Sequence, residues 1–137
     1  MLISRLFQLR RSMSNQWLSP AELHDLQNRK LRTVVKHAYE NVPYYHNLFD
    51  SVDLKPKDIQ TTEDLMKIPI TSRTDIQRQS ADQIVSRGVD SERCIKLRTS
   101  GTTGVPLTMY LTPAEHRFRG LIELRGLFQY SGFIHHF

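Results

Sequence analysis

The sequence predicts an α/β chain in which a mostly helical N-terminal part is followed by a β-hairpin and one further helix. Three observations predict it: a helix-start signature at Ser19, a change of hydrophobic period after Gly88, and a second helix-start signature at Thr112.

Residues 1–18 read as a basic amphipathic leader, with Leu2, Ile3, Leu6, Phe7 and Leu9 set among Arg5, Arg10 and Arg11 and no acidic residue before Glu22. That composition suits a transit peptide or an interfacial helix. It lacks the unbroken apolar run of a secretory signal and is too short to span a membrane, so a packed or frayed leader is the plainer reading. Residues 19–92 read as a helical subdomain. Ser19, Pro20 and Glu22 supply an N-cap, a proline at the first helical position and a capping-box glutamate. The helix is expected to close near Asn41, because Pro43 disfavours helical geometry in Val42. Leu23, Leu26, Leu31, Val34, Val35 and Ala38 form its expected buried stripe. The aromatic run Tyr44, Tyr45, His46 and Phe49 is expected to fold back on that helix, with His46 structural. Thr61 and Thr62 cap a short helix ended by Pro69, and Thr71 is expected to cap another that runs through Asp75 and Ile76.

Residues 93–137 change character. Cys94 to Arg98 and Leu107 to Leu111 read as two strands joined by a Gly- and Thr-rich loop. Thr112, Pro113 and Glu115 then open a helix with Phe118, Leu121, Ile122, Leu124, Leu127 and Phe128 along a broad apolar face, expected to stop at Gly132.

Composition excludes several classes. Over 137 residues, 39% hydrophobic and 24% charged residues describe an ordinary globular chain. Cys94 is the only cysteine, which rules out an internal disulfide and a cysteine zinc cluster and suits a reducing, cytoplasmic setting. A net charge of +5 raises nucleic acid or an anionic membrane as partner. No binding motif accompanies the charge, and Arg29 to Lys36 reads as the wet face of a helix, so neither nucleic acid nor stable membrane insertion is expected. His135 and His136 lack further ligands nearby, and no metal site is assigned.

The chemistry is concentrated in Thr99, Ser100, Gly101, Thr102, Thr103 and Gly104. Unhindered backbone N–H groups, hydroxyl donors and glycines that permit φ > 0 are what a polyphosphate needs in one place. The loop is not a Walker A loop, because Gly104 is not followed by Lys-Ser or Lys-Thr and the chain enters a strand. The plainer reading is a hairpin that uses Gly101 and Gly104 for geometry alone.

The string from Thr99 to Pro106 is similar to the phosphate-binding signature of the adenylate-forming (AMP-binding) superfamily. Trp17-Leu18-Ser19-Pro20, the run from His37 to Tyr45, and Asp64-Leu65 with Ile68-Pro69-Ile70-Thr71 resemble its phenylacetate-CoA ligase branch, which also contains proteins linked to capsular polysaccharide synthesis. The resemblance covers about residues 17–132 and implies the start of the large N-terminal domain of such an enzyme, with residues 93–137 an incomplete AMP-binding subdomain. It implies activation of a small-molecule carboxylate with ATP and Mg, then acyl transfer to coenzyme A. Ser100, Gly101, Thr102, Thr103 and Gly104 would cradle the outer phosphates, with Thr99 and Pro106 shaping the loop; no catalytic acid or base is assigned. Val105 and Leu107 stand where lysines often flank the proline, so the loop brings no cation of its own. Arg98 is a compensating cation or merely a solvated strand end, and Arg73 stands where related sequences often carry lysine.

The expectation is a truncated N-terminal part of an acid–CoA ligase, inactive alone and inclined to self-association or to a complementary fragment. The alternatives are a non-catalytic helical interaction module docking on a full-length or split ligase, and a basic membrane-surface or nucleic-acid binder.

Overall fold

The computed structural model describes residues 14–100 and 106–130. Its longest element, α1 (Pro20–Asn41), starts where the capping box places it. Glu22 N–H donates to Ser19 Oγ at 3.3 Å, and Ser19 N–H donates to Glu22 Oε2 at 2.8 Å. Two otherwise orphaned amides are thereby satisfied. Val42 is extended at φ −110° and ψ 110°, as the following proline requires, and α2 (Pro43–Asp50) begins at once.

The aromatic run does fold back on α1. Phe49 is buried with its ring 6.1 Å from Tyr39, and the His46 ring lies 4.6 Å from Tyr39. Val35, Phe49, Leu54 and Ile59 form the core, with Leu31, Tyr39, Tyr45, Leu48 and Ile68 packed around it. The buried edge of α1 differs from the expected stripe. Leu26, Leu31, Val35 and Ala38 are buried or half-buried as expected, but Leu23 and Val34 are exposed, and Asn28 is buried and Tyr39 half-buried in addition. The true stripe is rotated towards Asn28 because the connection after Ile59 passes over that position. Asn28 Oδ1 accepts the Thr62 N–H at 3.1 Å, and Arg32 Nη1 donates to Gln60 O at 2.9 Å.

That connection consists of two 3-10 turns, Pro56–Asp58 and Thr62–Lys67. In the second, Asp64 Oδ2 accepts N–H groups from Gln60 and Thr61 at 2.9 and 3.0 Å. The helix expected from a Thr71 cap starts one residue later as α3 (Arg73–Gln77) and stops after five residues. Ser72 wins because Asp75 lies three residues beyond it and accepts its N–H at 2.8 Å, while the residue three beyond Thr71 is Thr74, which has no carboxylate. The short α4 (Ala81–Ile84) follows. Arg87 then caps the end of α1, donating its N–H to Asn41 O at 2.7 Å and Nη1 to Glu40 O at 3.3 Å. Gly88, at φ +81°, makes the turn away from that cap.

β1 (Ile95–Arg98) and β2 (Thr108–Leu111) pair antiparallel, with Ile95 opposite Leu111 and Arg98 opposite Thr108. Among the described residues this is a two-stranded sheet. The chain continues into α5 (Pro113–Tyr130), where Thr112 N–H donates to Glu115 Oε2 at 2.7 Å. Phe118 and Leu124 on α5 are exposed. Gly132, Phe133 and the histidines after them lie outside the described residues. The fold is thus mostly helical, with an antiparallel hairpin and a following helix, in agreement with the fold class expected from sequence. No described helix is long and apolar enough to cross a membrane.

Candidate functional site

The Gly- and Thr-rich segment joins β1 to β2 in sequence. Of the six predicted site residues, Thr99 and Ser100 are described; Gly101, Thr102, Thr103 and Gly104 lie outside the described residues, as does Val105. The strand ladder extends one pair beyond β1. Thr99 N–H donates to Leu107 O at 3.1 Å, and the Leu107 N–H returns to the Thr99 side-chain oxygen, also at 3.1 Å. A side chain thus takes part in closing the base of the loop. Ser100 and Pro106 are exposed at its two shoulders.

A second element reaches this base. Arg73, the first residue of α3, donates from Nη2 to Thr99 Oγ1 at 3.0 Å. The cation beside the loop stem therefore comes from the helical part, 26 positions earlier in sequence. Arg98, which sequence leaves as either a compensating cation or a solvated strand end, is exposed at the end of β1. Sequence alone assigns Arg73 no role. The signal that points to it is the Ser72–Asp75 capping box, which fixes the backbone from which Arg73 projects.

Away from the loop, an open cleft of about 270 Å³ lies between the helical part and the hairpin, lined by Tyr45, Ile84, Val89, Cys94, Met109 and Glu115 among others. Neither Thr99 nor Ser100 lines it. Among the described residues no group of three or more His, Cys, Asp or Glu side chains is arranged to hold a metal ion.

Two other polar constellations have structural explanations. His37 Nε2 lies 3.0 Å from Ser86 Oγ, and Asn41 Nδ2 lies 3.3 Å from His37 Nδ1, an order that resembles a nucleophile, base and orienter. Asn41 Nδ2 also donates to His37 O at 3.1 Å, which fixes the amide orientation and makes Nδ1 an acceptor. The tautomer that fits this arrangement has Nε2 donating to Ser86 Oγ. The second constellation is the group Tyr39, Asp50 and Lys55. Tyr39 donates its hydroxyl to Asp50 Oδ1 at 2.8 Å, and Lys55 Nζ lies 2.6 Å from the same oxygen. Lys55 first, then Tyr39, hold the Asp50 carboxyl below the usual aspartate range. The same hydrogen bond to Asp50 pushes the Lys55 ammonium up. These groups tie the turn after α2 to the end of α1.

No family model matches the chain. Among curated proteins it is similar to ligases that carry a common description. It is 36% identical over 92 residues to phenylacetate-coenzyme A ligase of Escherichia coli, which covers 66% of this chain and 21% of that protein. It is 34% identical over 107 residues to phenylacetate-coenzyme A ligase of Thermus thermophilus, covering 77% of this chain and 24% of the relative. A third protein of the same description, from Aromatoleum evansii, is 36% identical over 95 residues, 69% of this chain and 21% of its own length. The chain spans about a fifth of the length of the first of these relatives.

Proposed function

We propose that this chain is part of an adenylate-forming acid–CoA ligase of the phenylacetate-CoA ligase type, and that its role there is to grip the outer phosphates of ATP. The reading assigns Ser100, Gly101, Thr102, Thr103 and Gly104 as the phosphate cradle, with Thr99 at its base. One observation carries it: the segment of glycines and hydroxyls joins two paired strands whose last pair, Thr99 and Leu107, is closed by both the backbone and the side chain of Thr99. Such a stem lets the loop's N–H and O–H groups be pre-aimed, so that an anion need not order them on arrival. The similarity to ligases of this description supports the same reading.

On this view residues 19–92 form a helical subdomain and residues 93–137 the first piece of the nucleotide-binding subdomain. The reaction joins a small carboxylic acid to coenzyme A through an acyl-adenylate, and it needs groups for adenine, ribose and acyl chain that the described residues do not assemble. Linkage to capsular polysaccharide chemistry belongs to the wider branch and rests on the resemblance alone.

The test is titration of the full chain with inorganic tripolyphosphate and with ATP. Both should bind, and the combined Ser100→Ala, Thr102→Ala, Thr103→Ala variant should bind each at least about tenfold more weakly, since hydrogen bonds to a charged group are being removed. Undiminished binding by the triple variant, or no binding by the parent chain, sinks the cradle. Pyrophosphate release by this chain alone with ATP and phenylacetate would contradict the view that the loop acts only together with further active-site groups.

A further inference from the structure

The geometry points to Arg73 and Thr99 as a latch that fixes the loop stem to the helical part, with Arg73 a positioning residue for the phosphate loop. This rests on the phosphate-loop reading but adds a residue and a mechanism to it.

The latch is built from the sequence upward. Ser72 and Asp75 cap α3, with Ser72 N–H donating to Asp75 Oδ2 at 2.8 Å and Asp75 N–H to Ser72 Oγ at 3.2 Å. The backbone at Arg73 is thereby set, and its guanidinium reaches Thr99 Oγ1 at 3.0 Å. A threonine hydroxyl has two acceptor lone pairs and one proton to donate. Arg73 Nη2 occupies one lone pair and Leu107 N–H the other, the latter at 3.1 Å. Both acceptor positions are filled by groups from different parts of the fold. Thr99 therefore joins three segments at a single oxygen: α3, the outgoing arm of the loop, and the returning arm at Leu107. Its remaining offer to any ligand is one O–H.

The consequence is coupling. Loss of either Arg73 or the Thr99 hydroxyl removes the same Arg73–Thr99 hydrogen bond, so the two side chains are coupled at this oxygen. Removing both should do little more than removing one. A guanidinium that acted on phosphate directly would behave differently, since its removal would still weaken binding after Thr99 had been changed.

The experiment is a double-mutant cycle in the full chain with Thr99→Val, Arg73→Gln and the pair, read by tripolyphosphate titration and by hydrogen exchange at the Leu107 amide. Each single change should weaken tripolyphosphate binding about threefold to tenfold, the range for one hydrogen bond, and the pair should be no weaker than the worse single variant. Thr99→Ser, which keeps the hydroxyl, should restore binding. Both single variants should speed exchange at Leu107. Multiplying effects in the pair, or a Thr99→Ser chain as impaired as Thr99→Val, overturns the latch. If the parent chain binds no tripolyphosphate, the cradle falls by itself. The latch then stands or falls on Leu107 exchange, where unchanged rates in Arg73→Gln would refute it.

Discussion

Asn28, buried in the middle of α1, accepts the Thr62 N–H through Oδ1 at 3.1 Å, so one polar side chain secures the first amide of a 3-10 turn 34 residues away. Its amide nitrogen faces His24 Nδ1 at 3.3 Å, which orients the group. Asn28→Ala should cost about 1–3 kcal/mol, because it leaves a backbone donor without its acceptor. The loss should appear in urea unfolding, with faster hydrogen exchange at Thr62. Unaltered exchange there would show that the contact carries no weight.

Two isoleucines provide an internal contrast. Ile59 is 0% exposed and Ile70 is 96% exposed. Truncating Ile59 to alanine should cost about 2–5 kcal/mol through lost burial and a residual cavity. The same change at Ile70 should stay within about 0.5 kcal/mol, as for surface sites generally. Similar unfolding midpoints for the two variants would mean that the core lies elsewhere.

Part of the acid sensitivity should come from two aspartates. Lys55, then Tyr39, hold the Asp50 carboxyl low; Lys67, then the backbone N–H groups of Gln60 and Thr61, do the same for Asp64. A carboxyl whose folded pKa lies below its unfolded value stabilises the fold above the unfolded value, about 3.9 for aspartate, and loses that contribution as pH falls through the folded one. Stability should therefore decline from about pH 4 downward. Asp50→Asn and Asp64→Asn should each start less stable at pH 7 and lose less on acidification. Parallel stability curves for parent and variants between pH 7 and pH 2 would contradict this assignment.

At the start of α1, Ser19→Ala removes one half of a reciprocal pair of hydrogen bonds with Glu22. The expected cost is about 1 kcal/mol, measurable as a lower urea midpoint with fraying confined to the first turn. Replacement by aspartate, another good capping residue, should recover most of it.

Local chemistry makes much of this molecule legible from its residues alone. Both long helices begin where serine or threonine is followed three residues later by glutamate, and α1 ends at Asn41 because Pro43 constrains Val42. The hairpin follows from two short β-prone runs on either side of a Gly/Thr loop. Such signals act within a few residues, so sequence carries them complete. The same locality explains why the cap of α3 falls one residue beyond the expected Thr71: Thr71 and Ser72 are both good caps, and only the carboxylate of Asp75 separates them.

The buried face of α1 and the junction at the loop stem are of another kind. Periodicity favours Leu23 and Val34, but burial is decided by what packs alongside, and the turn after Ile59 covers Asn28 instead. Nothing local assigns a role to Arg73, whereas its guanidinium meets Thr99 at the stem, brought there by the return of the chain from α3 to β1. The sequence by itself determined the starts of the two long helices and the hairpin, since each depends on neighbours along the chain. Tertiary structure alone decided which side chains are buried and which arginine meets Thr99, because those contacts join segments whose separation no short-range rule can span.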